Sequence, residues 1–155
     1  MGTPYPHNRA PRKSADGRIF AYAAASDSIL KGRAACGKCY QLTRIGGSGP
    51  VVPIVLKVDN WCPCQYNPSC CQDHFDIAVP GFDYASSSAS NVCQKRDPSI
   101  SYKTGAQACQ NWYLGGNCNC NAVSTDPVLN AGCSIFLSMR CDNCQFTYAP
   151  IACPF

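Results

Sequence analysis

The sequence contains no glutamate at all, so every carboxyl side chain that gives or takes a proton must be one of nine aspartates. Charge of either sign is sparse, at 14% of residues. The net charge of +4 is uneven: residues 1–44 hold eight Lys/Arg against Asp16 and Asp27, and the remainder five against seven Asp. The basic residues are scattered rather than clustered, which fits a solvated front end and speaks against nucleic-acid binding. No apolar run approaches the length of a membrane span. A Gly-x-Ser-x-Gly elbow, a P-loop and a dinucleotide fingerprint are all missing, which removes most acyl-transfer and nucleotide chemistry. What remains is a neutral, polar surface suited to a hydroxyl-rich partner.

Cysteine, by contrast, is abundant. Fourteen in 155 residues is an even number, allows up to seven disulfides and implies an oxidising, extracellular setting. The length fits one domain, expected to be monomeric. Met1-Gly2-Thr3-Pro4 leads into polar residues without the apolar core of a secretion signal, so either a mature form starts here or further residues precede it. Two Cys-x-x-Cys pairs, Cys36/Cys39 and Cys141/Cys144, lie about a hundred residues apart among ten other cysteines. That spacing favours disulfides over a zinc site, and no metal or cofactor is expected.

Residues 1–14 carry three prolines and no apolar period, and read as an extended arm ahead of a domain spanning 15–155. The alanine-rich run from Asp16 to Leu30 has the composition of a short helix. Cys39 to Thr43 and Val51 to Val58 read as strands joined by a glycine-rich hairpin loop. Asp59 to Cys71 reads as a cysteine-pinned loop, and 82–132 as turn-rich. Ser134–Arg140 and Gln145–Ala149 look like two closing strands. The total is a small all-β barrel or sandwich.

The stretch His74-Phe75-Asp76-Ile77-Ala78-Val79-Pro80-Gly81 is the most informative. A strand with Phe75, Ile77 and Val79 on one face sends Asp76 to the other, beside His74. Apolar walls would raise the carboxyl pKa, as a general acid needs, although an aspartate here can equally hold a turn. Trp61, Tyr66, Tyr84, Trp112 and Tyr113 lie in or beside loops, where aromatic rings serve either as core plugs or as platforms for sugar rings.

CGKCYQLT (36–43), VLKVDNWCP (55–63), HFDIAVPG (74–81), LNAGC (129–133) and FTYAPIACP (146–154) occur in the order found in glycoside hydrolase family 45, and the chain resembles that family from about Arg18 to its end. The resemblance implies a six-stranded double-psi β-barrel with long disulfide-pinned loops, related to expansins, and a secreted endo-β-1,4-glucanase acting with inversion on cellulose or a related β-glucan. It makes Asp76 the general acid. The family's usual base is an aspartate after a Thr-Arg-Tyr segment on the first strand; only thirty-five residues precede Cys36 and none resembles it, so that strand is expected to be missing. Asp16 does not inherit the role. In fungal members without that aspartate an asparagine acts as base in its imidic-acid form, and the matching position is Asn67. His74, Asp59 and Asn60 match supporting polar positions, with Tyr40, Trp61 and Trp112 as sugar contacts. The alternatives are a non-hydrolytic, expansin-like wall-loosening protein and a defence protein of the barwin type.

Overall fold

The computed structural model describes residues 10–46, 52–78, 93, 120–139 and 144–154. Their core is the strand Ile19–Ser26 (β2), all eight residues of which are buried. Arg12–Lys13 (β1) pairs antiparallel with its start. Ile54–Cys62 (β4) runs parallel along its whole length. Phe75–Ile77 (β5) pairs antiparallel with Ala23–Ala25. Because β4 fills one edge of β2, β1 and β5 share the other edge end to end. Cys39–Arg44 (β3) then pairs antiparallel with β4, and Phe146–Ile151 (β6) with β3, completing a six-stranded sheet in the order β1-β2-β4-β3-β6, with β5 on β2.

The run from Asp16 to Leu30 is therefore a central strand and not the expected helix; only Asp27–Leu30 (α1) is helical. Alanine's helix preference is a few tenths of a kcal/mol per residue over most alternatives, which sheet pairing on both edges overrides. Small side chains also suit a strand buried on both faces. The interior face carries Ile19, Ala21, Ala23, Leu42, Ile54 and Leu56, against which Phe75, Ile77 and Phe146 pack. Each large aliphatic buried there contributes about 1.5–3 kcal/mol.

Two further expectations are corrected. Asp59 to Cys62 continues β4 rather than opening a loop. Ser134 to Ser138 belongs to a helix, Pro127–Ser138 (α2), and not to a closing strand. Asp126 caps α2, its carboxylate accepting from the N–H groups of Val128 and Leu129 at 3.0 Å, and Pro127 occupies the first turn. Those are strong helix-start features. The expected arm is also partly sheet: β1 lies within it, and buried Ala10 packs beneath Gly132 of α2.

Disulfides Cys36–Cys93, Cys39–Cys153, Cys62–Cys70, Cys64–Cys71 and Cys120–Cys133 fasten these elements, and Cys144 is also disulfide-bonded. Cys36 and Cys39 thus go to different partners, and neither is available as a thiolate ligand.

Candidate active site

The site forms where β4, β5 and the loop after β4 meet. Facing residues in a sheet share a side, and Ala24 faces both Asn60 and Asp76 while Ser26 faces Cys62. Asn60, Cys62 and Asp76 therefore stand on one face. Trp61, Ala25 and Phe75 turn to the other, into the core.

The loop beyond Cys62 is tightly built. The Pro63 carbonyl accepts from the N–H groups of Tyr66 and Asn67, both at 3.1 Å. Pro68–Cys71 then forms a 3-10 turn capped by Asn67, whose side-chain oxygen accepts from Ser69 N–H at 3.1 Å. Disulfides Cys62–Cys70 and Cys64–Cys71 hold the loop at both ends.

This scaffold fixes the surroundings of Asp76. One carboxyl oxygen lies 2.9 Å from His74 Nε2. The other accepts from Asn67 Nδ2 at 3.4 Å and touches Cys62 Sγ at 3.0 Å. Cys62 and Cys70 have no thiol proton to give and no thiolate to offer a metal, so their grouping with Asp76 is a packing contact. His74 is itself held at its backbone: its N–H donates to Ser26 Oγ at 3.2 Å, and its carbonyl accepts from Ser26 N–H at 3.0 Å. The Asp76 side chain remains 48% exposed. The apolar walls expected around it are not found among the described residues.

A second carboxyl sits three residues earlier. Asp73 accepts from Ser28 Oγ at 2.6 Å and from Tyr148 Oη at 2.5 Å. The two hydroxyls, Ser28 foremost, hold its carboxyl below the usual range, and the bond to Asp73 pushes the Tyr148 phenol up to about 12. Tyr148 also stands edge-on to Phe75 and Tyr40, with ring centroids 5.5 and 6.0 Å away. The Tyr148 contacts to Asp73 and Phe75 join β6 to the β5 side of the sheet through side chains.

A solved structure shares this fold. It is a cellulase from the Antarctic springtail Cryptopygus antarcticus, matched with a TM-score of 0.56 and 20% identity. The match covers 94% of this chain and 64% of that chain, so the present sequence spans a little under two thirds of its neighbour's length. No family model matches the chain, and no curated protein does. At this identity the likeness establishes the β-barrel fold and leaves the chemistry to the residues.

Those residues divide clearly. Asp76, His74 and Asn67 are brought into one cluster. Asn60 is buried on the same side of the sheet, whereas Asp59 is fully buried and does not line an open cleft. Trp61 is half-buried, and its indole N–H donates to Asp27 at 2.7 Å. Tyr40 is packed between Phe75 and Tyr148, and its burial pushes its phenol up. Trp112 lies outside the described residues. The disulfide against Asp76 and the Ser28–Asp73–Tyr148 chain went unread in the sequence, because neither pairing leaves a local signal.

Asn67 does not meet the geometry of a base. An inverting glycosidase keeps acid and base about 6.5–9.5 Å apart to admit a water. Asn67 instead hydrogen-bonds Asp76 directly, and its amide oxygen accepts from Ser69 N–H in the cap.

Proposed function

We propose that the protein is a secreted endo-β-1,4-glucanase, with a β-glucan such as cellulose as its substrate and Asp76 as the general acid. The observation that carries this reading is the Asp76 carboxyl, oriented by His74 and Asn67 yet open to solvent, on a barrel of the kind found in the springtail cellulase. In the reaction, protonated Asp76 gives its proton to the glycosidic oxygen as the bond from that oxygen to the anomeric carbon breaks. Water adds to the anomeric carbon from the opposite face, with inversion, and loses its proton to a base. Asn67 serves this scheme by positioning the acid. As the Nε2–H tautomer, neutral His74 donates to one Asp76 oxygen both before and after the other oxygen gives up its proton, so the pair stays bonded across the transfer. A bound glucan covering Asp76 would also supply the desolvation that the free site lacks.

The test is reducing-end release from amorphous cellulose. Asp76→Asn is expected to lower kcat by about 10²–10⁴-fold, the usual worth of a general acid, with the melting temperature little changed. An unaltered rate would remove Asp76 from the mechanism. The second reading is a non-hydrolytic, expansin-like wall-loosening protein, favoured by one observation: among the described residues no second carboxylate joins the Asp76 cluster. It predicts retention on cellulose with no new reducing ends.

A further inference from the structure

Tyr66 is the most exposed large hydrophobic side chain among the described residues, at 71%. An aromatic ring left in water on a flexible loop would be unremarkable, but this loop is not flexible. Tyr66 sits inside the segment closed by Cys62–Cys70 and Cys64–Cys71, with its own N–H tied to the Pro63 carbonyl at 3.1 Å. The next residue, Asn67, reaches the Asp76 carboxyl. Adding the 3.8 Å step between neighbouring Cα atoms, the Asn side chain and the 3.4 Å bond places the Tyr66 backbone within roughly 11 Å of the acid. Tyr66 is thus mounted within about two sugar units of the Asp76 carboxyl, on backbone whose freedom has already been removed. Trp61 and Tyr40 are both less exposed than Tyr66: the indole N–H of the first donates to Asp27, and the second packs against Phe75 and Tyr148.

We infer that Tyr66 is a sugar-binding platform beside the acid, stacking on the apolar face of one β-linked pyranose ring of the glucan. This inference rests on the glucanase reading above. Stacking from a fixed backbone costs only the rotamer freedom of one side chain, so the contact should appear as affinity. It is made equally in ground and transition states, and belongs in KM rather than kcat.

The test uses the full chain with cellohexaose. Tyr66→Ala is expected to raise KM about five- to twentyfold with kcat within twofold, to shift the pattern of cleavage products, and to leave the melting temperature unchanged; Tyr66→Trp should restore KM. Calorimetric titration of Asp76→Asn with and without Tyr66→Ala reads binding apart from turnover, with the same loss expected. An unchanged KM and binding constant in Tyr66→Ala overturns the platform while leaving the glucanase standing. If the wild-type chain releases no reducing ends, the glucanase reading fails, and the titration alone decides the platform: a five- to twentyfold weaker complex supports it, and equal or absent binding overturns it.

Discussion

Replacing Asn67 with alanine separates two roles for that side chain. As a positioning group it contributes one donor to the Asp76 carboxyl at 3.4 Å and one acceptor to Ser69 N–H at 3.1 Å. A hydrogen bond to a charged group is worth about 1.5–3 kcal/mol, but this one is long and solvent-exposed, so about 1 kcal/mol is the reasonable share. If it acts on the transition state, that is roughly a fivefold loss in kcat. Losing the cap costs about another 1 kcal/mol of stability, or about 2–4 °C in melting temperature for a chain of this size. A catalytic base would instead forfeit about 10²–10⁴ in rate. Reducing-end kinetics on amorphous cellulose and a thermal melt distinguish the two. A double-mutant cycle sharpens the result: in the Asp76→Asn background, Asn67→Ala should cost almost nothing further if it works through Asp76. A loss of a hundredfold or more in the single variant, with full folding retained, would refute positioning.

Two other predictions concern the frame around the site. Tyr148→Phe keeps the ring packing on Phe75 and Tyr40 but deletes the bond to Asp73, which should cost about 1 kcal/mol after allowance for exposure. The raised phenol makes its share fully present below its ordinary value of 10.0 and lost as pH rises through about 12; the lowered Asp73 makes its share present above its ordinary 3.8 and lost as pH falls further. Denaturant melts should therefore show a wild-type advantage that is flat between those limits and shrinks at both ends, and an advantage that grows at either extreme would contradict the pairing. Gly132→Ala tests the packing of residues 10 and 11 on α2. A methyl there would sit 2.5 Å from Ala10 Cβ and 3.2 Å from the Pro11 carbonyl oxygen, an overpacking of about 1–3 kcal/mol, against a gain of about 1 kcal/mol in helix propensity. A lower melting temperature is expected; a higher one would mean that the propensity term alone operates and that the chain does not pass so close.

How much of this was legible in the sequence depends on whether the signal is local. β3, β6 and the first part of β4 carry β-branched or aromatic residues bounded by turn formers, and they stand where those residues put them. His74 and Asp76 share a side because strand alternation requires it. By contrast β2 is four alanines among eight residues, a composition that reads as helix until its neighbours on both edges are known. In the helix α2 the apolar run Ile135, Phe136 and Leu137 has the composition of a strand, and the Asp126-Pro127 start that decides for helix lies eight residues earlier. The exposure of Asp76, the core position of Trp61 and the burial of Asp59 are tertiary facts.

The position of Trp61 and the surroundings of Asp76 share one cause. Along β4, Ile54, Leu56 and Val58 face the core, and strict alternation would send residues 60 and 62 there too. The pairing with β2 shifts between Ala23 and Ala24: Val58 faces Ala23, and the next facing pair is Asn60 with Ala24. Asp59 is the extra residue of a β-bulge, and one added residue exchanges the faces of everything beyond it. Trp61 is thereby turned into the core, while Asn60 and Cys62 come round to the face of Asp76. Without the bulge the Cys62 sulfur could not stand 3.0 Å from the carboxyl, nor could the loop that starts at Cys62 deliver Asn67 to it. Asp76 is thus oriented by an irregularity one strand away, at a position where the sequence offers only an aspartate between a valine and an asparagine.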